Sequence, residues 1–362
     1  MLCLKDYEDY AREHLDRRTW AFYSQGAERE ETFKENLRSF TRYTLIPRML
    51  RNKNRRDLSV TVLGERISIP VGISPTAYQR LAHPEGEMAA SRAAGEMNTI
   101  YALSTVSNTS IEEISRHRQF HSPLWMQILP LKDPRFTKEL IKKAEAHGYK
   151  AIVLTVDTPV PGLQLKMWKN GLAMPPHISI PNVADAIKKL NDDAESSDHV
   201  RNVDFFADTL TWEDVSWIKS ISSLPLVLKG ILTAKDVLLA VKHGASAVWV
   251  SNHGGRQLDG VNAALDALPE ISAALAGTDC EIYMDGGIRW GSDVFKALAL
   301  GARAVFIGRP ALWGLAHSGQ DGVRHVLEIL KSELDRVMHL VGCSSIEDIG
   351  PHFMKKKEVS KI

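Results

Sequence analysis

From Ile69 onward the chain repeats one unit: a short apolar run ending in small or polar residues, then a stretch of helical periodicity. The runs are IPVGISPTA from residue 69, IYALST at 100–105, LWMQIL at 124–129, AIVLTVD at 151–157, PLVLKG at 225–230, AVWVSN at 247–252, EIYMDG at 281–286 and AVFIGR at 304–309. Continuous apolar runs of this length suit strands buried on both faces, and the helices expected between them, at 85–97 and 134–147 for example, are the crossovers that parallel strands require. Eight such units predict one (β/α)8 TIM barrel and not a doubly wound open sheet.

Residues 1–65 lack the repeat and read as an N-terminal helical cap. Tyr7, Tyr10, Ala11 and His14 or Leu15 share a helical face, and Trp20, Phe22 and Tyr23 precede a stop at Gly26-Ala27. The barrel is expected over 66–345, interrupted after its fourth strand by a long insertion, 159–211, with prolines and then acidic residues at Asp192, Asp193, Glu195 and Asp198. Such a length points to a lid or a disordered segment. Residues 346–362 form a C-terminal tail.

A net charge of +1 over 362 residues gives no sign of a nucleic-acid partner. Cys3, Cys280 and Cys343 are far apart and odd in number, so neither a zinc site nor a disulfide framework is expected, and no metal is assigned. No apolar run approaches the roughly 18 residues of a membrane span, and the charged N-terminus has no signal-peptide core. The terminal Ser360-Lys361-Ile362 differs from the peroxisomal address Ser-Lys-Leu in its last side chain. Peroxisomal import, with the import receptor as partner, is therefore expected, and a cytoplasmic location otherwise.

In a (β/α)8 barrel the strands deliver their functional groups at their C-terminal ends. Here those ends carry Thr76 and Ala77, Ser104, Gln127, Thr155 and Asp157, Lys229, Ser251 and His253, Asp285, and Arg309. Strands seven and eight end in Asp285-Gly286-Gly287-Ile288-Arg289 and Gly308-Arg309, where glycine backbone N–H groups and two arginines suit a phosphate. In WVSNHGGRQLDG (249–260), an imidazole and a guanidinium, His253 and Arg256, leave a buried strand together. Lys229 ends an apolar strand and needs an anionic partner. Schiff-base chemistry on a sugar phosphate, stabilisation of a reduced flavin anion and a structural ion pair all satisfy that need. Gln127, Ser104 and Thr155 favour the flavin, whose carbonyls and ring nitrogens call for neutral hydrogen-bonding partners.

Through SNHGGRQLDG, DGGIRWGSDVFKALALGA, VFIGRP and LTVDTP, the chain resembles the FMN-dependent L-2-hydroxyacid oxidases, the glycolate oxidase family, from about residue 5 to its end. The resemblance implies that Pro75, Thr76, Ala77, Ser104, Gln127, Thr155, Lys229 and Ser251 surround the flavin and ribityl chain. It implies that Asp285, Gly286, Gly287, Arg289, Gly308 and Arg309 hold ribityl and phosphate. His253 would act as base while two electrons pass to flavin N5, Asp157 would orient it, Lys229 would stabilise charge near flavin N1, and Arg256 would grip a carboxylate. Oxygen would reoxidise the flavin and give hydrogen peroxide, and the chain would assemble as a homo-oligomer, a tetramer in this family.

The substrate pocket departs from the family pattern. Phe22 and Leu129 stand where tyrosines are normal, Gln164 where an arginine is normal, and Val106 lies in the run that normally carries an aromatic residue. Lys166 or Lys169 could resupply the missing charge. Losing a charge-assisted contact commonly costs a hundredfold or more in affinity. Glycolate is therefore not the expected substrate. Two readings remain: an oxidase of a bulkier, apolar 2-hydroxy acid or a neutral activated alcohol, anchored by Arg256, or an FMN-binding protein with little turnover.

Overall fold

A computed structural model describes residues 1–51, 56–118, 122–170, 178–193 and 206–357. The cap contains α1 (Leu4–His14), α2 (Arg17–Ser24) and α3 (Glu31–Arg38), followed by β1 (Tyr43–Leu45) and the hairpin β2 (Val60–Val62) and β3 (Glu65–Ile67). Helix α1 buries Leu4, Tyr7 and Ala11, one stripe at helical spacing. Helix α2 starts where the Asp16 carboxylate accepts the backbone N–H groups of Arg18 and Thr19.

The barrel strands are β4 (Val71–Ile73), β5 (Tyr101–Leu103), β6 (Leu124–Ile128), β7 (Ala151–Thr155), β8 (Leu226–Ile231), β9 (Ala247–Val250), β10 (Glu281–Asp285) and β11 (Ala304–Ile307). All pair in parallel, and β11 closes onto β4. The crossovers are α4 (Gly86–Glu96), α5 (Ile111–Arg116), α6 (Pro134–Ala146), then α7 (Leu165–Asn170), α8 (Ala184–Asp193) and α9 (Trp212–Ile221) around the insertion, and α10 (Ala234–Lys242), α11 (Ala264–Ala274) and α12 (Gly291–Ala299). A final helical stretch, α13 (Arg309–Val341), is broken at Ser318-Gly319. The predicted barrel is thus the observed one, with strand ends within about two residues of those expected except at the first strand, which ends at Ile73, four residues before the end of the run IPVGISPTA.

Side-chain alternation along each strand explains the position of the polar groups. The barrel interior is filled by Ala102, Trp125, Val153, Val227, Trp249, Tyr283 and Phe306, all fully buried, with Trp249 and Phe306 ring centroids 3.9 Å apart. Two residues further along the same strands come Ser104, Gln127, Thr155, Lys229, Ser251, Asp285 and Gly308. Period-two geometry puts these on the same inner face, one layer above the aromatic plug. The plug makes the floor of the site.

Two features differ from the sequence reading. The cap is not wholly helical, and the C-terminal segment is tied to it: β12 (Met354–Lys356) pairs antiparallel with β1, and Phe353 is buried beside Phe295. Three-residue strands are too short for a periodic signal. Within the insertion α7 and α8 are helical, and its return is joined to the loop after β6 through the Leu131–Phe206 bridge and the Ala207 N–H, which donates to Pro130 O at 2.8 Å. Glu195, Asp198 and the terminal Ser360-Lys361-Ile362 lie outside the described residues, as do the side chains of Asp192 and Asp193. No described helix is long and apolar enough to cross a membrane.

Candidate active site

A cavity of about 410 Å³ opens at the C-terminal ends of the strands. Of the residues singled out from sequence, Pro75, Thr76, Ala77, Lys229, Asp285, Gly286, Gly287, Arg289, Gly308 and Arg309 line it together with Phe22, Val106, Leu129, Gln164, His253 and Arg256. Ser104, Gln127, Thr155 and Ser251 are buried just behind this wall. Gln127 is fixed from both sides: its Oε1 accepts the Thr105 N–H at 3.1 Å, and its Nε2 donates to Thr155 Oγ1 at 2.9 Å.

Lys229 finds its anion inside the barrel. Its ammonium donates to Ser251 Oγ at 2.9 Å and lies 3.3 Å from Asp285 Oδ2, while Ser251 Oγ donates to Asp285 Oδ1 at 2.5 Å. Ser74, 4% exposed, also donates to Asp285. The sequence reading missed Ser74, although it lies two residues beyond the inward-facing Gly72, whose place opposite the Phe306 ring allows no side chain.

The backbone of His253 is left-handed, with φ 57°, and Gly254 and Gly255 continue in the same region. That is uncommon for a histidine. The turn is held by the His253 N–H, which donates to Ser251 Oγ at 3.0 Å, and it brings Nδ1 within 2.8 Å of Asp157 Oδ1. Thr158 Oγ1 donates to the same carboxylate oxygen at 3.0 Å. Burial opposes ionisation of Asp157, but His253, Lys229 and the Thr158 hydroxyl outweigh it and hold the carboxyl below its ordinary range. The carboxylate is therefore charged at neutral pH. Gly230, at the bulge in β8 with φ 113°, makes the approach possible, since a Cβ there would lie 2.6 Å from Asp157 Cβ.

The cap roofs the site and is stitched to WVSNHGGRQLDG. Asn36 and Asn252 exchange reciprocal side-chain hydrogen bonds of 2.8 Å, and the Ala27 N–H donates to Gly255 O at 2.8 Å. Asp259 accepts the N–H groups of Arg29, Glu31 and Thr32 at the start of α3. Arg309 donates to Tyr23 O, Gly254 O and Gln25 O. None of these tertiary links has a local sequence signal.

Arg256 donates to Phe22 O at 2.6 Å and to Gln164 Oε1 at 2.9 Å, with its guanidinium carbon 5.0 Å from the Phe22 ring centroid. Burial pushes it down to about 10. Burial also lowers Arg289 and Arg309, and Arg309 is lowered further by the charges of Arg256 and Arg289. Among the described residues none of the three forms an ion pair with a carboxylate. The missing charge is not restored from the insertion: Lys166 pairs with Glu30 at 2.7 Å, and neither it nor Lys169 lines the cavity.

Three converging arginines, a paired lysine one layer below and neutral hydrogen-bonding groups around the floor fit a flat cofactor with a phosphate tail. Among the described residues no cluster of histidine, cysteine and carboxylate side chains is placed to hold a metal ion.

Comparison with known proteins gives the class. Residues 11–356 match the model of the FMN-dependent dehydrogenase family, and the chain belongs to that family. Within it the chain is similar to 2-hydroxyacid oxidase 1 of Homo sapiens, 43% identical over 368 residues covering 100% of this chain and 99% of that protein. It is also similar to L-lactate oxidase of Nostoc sp., 46% identical over 356 residues and 97% of each chain. The solved structure of mandelate oxidase with benzoyl-formic acid superposes with a TM-score of 0.88 at 39% identity, covering 99% of this chain and 98% of that one. The protein is an FMN-dependent oxidoreductase of the 2-hydroxyacid oxidase group.

Proposed function

We propose that this chain oxidises 2-hydroxy acids with a bulky or apolar side chain, in preference to glycolate. One observation carries the proposal: Arg256, the anchor for a carboxylate, faces a neutral glutamine, Gln164, in a cavity to which Phe22, Val106, Leu129 and Phe206 add apolar wall beside Tyr23, Tyr78, Lys132 and Asp208. Arg289 and Arg309 would hold FMN, which when bound would supply a two-electron acceptor that oxygen can reoxidise with release of hydrogen peroxide.

The chain's own residues do the rest. Asp157 engages His253 Nδ1, which leaves Nε2 as the ring nitrogen able to take the substrate's proton. As that proton arrives, the imidazolium is stabilised by a carboxylate already charged and in contact. Arg256 holds the substrate carboxylate, and the cap above it excludes water. Arg289 and Arg309 would supply charge for the cofactor phosphate, and the Lys229 ammonium, fixed between Ser251 and Asp285, would supply positive charge toward the reduced flavin. Neutral activated alcohols are the second substrate class, because one anchor instead of two makes the carboxylate less necessary.

Substituting Gln164→Arg tests the substrate reading. A second guanidinium beside Arg256 should lower KM for glycolate by roughly tenfold or more, the effect of one charge-assisted contact. An unchanged glycolate KM in a folded, yellow variant contradicts the assignment of Gln164 to the substrate pocket.

We read Ser360-Lys361-Ile362 as a peroxisomal import signal. Deleting it should leave the protein in the cytosol of expressing cells, and continued import would refute the reading.

A further inference from the structure

Beside the active-site cavity lies a second one of about 320 Å³, between the ends of β7 and β8, the start of α9 and the return of the insertion. The two share Leu129, Thr158, Pro159 and Phe206 in their linings, so these side chains form the partition between them. We propose that the second cavity is the receptor for the substrate's apolar side chain, with the carboxylate held at Arg256 on the other side of the partition. This inference rests on the reading of the site as one for 2-hydroxy acids.

The lining decides which end of a substrate enters. Val156, Leu210, Trp212, Val215 and Ile231 give apolar surface, and Asp236 is the one charged residue among the described residues of the lining. Asp236 accepts from Thr233 Oγ1 at 2.8 Å, so a substrate carboxylate would meet a second carboxyl group there and no cation, while the apolar walls favour hydrocarbon. Arg256 in the first cavity does the reverse. A monocarboxylate with an alkyl or aromatic tail is thereby oriented in one direction.

The partition is suited to being crossed. Leu129, without a ring or hydroxyl, can change rotamer at small cost. Phe206, the other large side chain of the partition, belongs to the insertion's return, joined to the loop after β6 by the Leu131–Phe206 bridge and the Ala207-to-Pro130 hydrogen bond. Side-chain length is therefore measured by how much of the second cavity a substrate fills.

The test uses binding, so that it stands apart from turnover. Purified yellow protein is titrated with butanoate and with octanoate, and the change in the flavin absorption spectrum gives each Kd. With about fourfold in affinity per buried methylene, and three or more methylenes buried, octanoate should bind roughly a hundredfold more tightly. Leu210→Trp, which adds bulk to the lining of the second cavity alone, and Leu129→Tyr, which stiffens the partition, should each reduce that preference at least about tenfold. Equal affinity for the two acids in the wild type, or a preference that survives in both folded variants, overturns the proposal. Failure to oxidise any 2-hydroxy acid, with the octanoate preference intact, instead overturns the assigned reaction and leaves the cavity's role supported.

Discussion

His253→Ala retains the yellow colour of bound FMN and reduces the flavin about a thousandfold more slowly when mixed anaerobically with a 2-hydroxy acid. The size follows from the contribution of a positioned general base, about 10²–10⁴. Retention of colour follows from the geometry: the imidazole is tied to Asp157 and Thr158, whereas the groups proposed to serve the flavin, Lys229, Ser251 and Asp285, form a separate network that is hydrogen-bonded to His253 only through its backbone N–H. Loss of FMN from the variant would contradict this separation, and reduction within tenfold of the wild-type rate would remove His253 as the base.

The second large effect is expected at Arg256. Arg256→Ala removes the guanidinium that stands between Gln164 and Phe22 O, so a carboxylate substrate loses a charge-assisted contact costing a few kcal/mol. The kcat/KM for mandelate should fall a hundredfold or more, while that for the neutral methyl mandelate changes far less. The ratio of the two is the informative quantity, because the substitution also leaves Gln164 Oε1 and Phe22 O without their donor, a defect common to both substrates. An equal fall for acid and ester would mean that Arg256 supports the cap and does not hold the carboxylate.

How much of this was readable in advance depends on what each feature rests on. The barrel was legible because eight buried strands and their crossovers write the same local pattern eight times. The inner polar ring was legible at Ser104, Gln127, Thr155, Lys229, Ser251 and Asp285 because a strand's end and its alternation are both local properties. Ser74 obeys the same rule and went unread. The Asn36–Asn252 pair and the contacts of Arg309 with Tyr23 O and Gln25 O join residues more than 200 positions apart, with nothing in either stretch to announce the partner. Gln164 was recognised only as a departure, and its contact with Arg256 turned an absence into a feature of the pocket. The second cavity had no sequence signal at all, since it is bounded by four separate segments.

The most direct measurement mixes the yellow protein with mandelate and with 2-hydroxyoctanoate in the absence of oxygen and follows the flavin absorbance. The account predicts that the flavin bleaches with both, faster than with glycolate, and that admitting oxygen restores the colour and releases hydrogen peroxide. A flavin that stays oxidised across these acids and their neutral esters would contradict it.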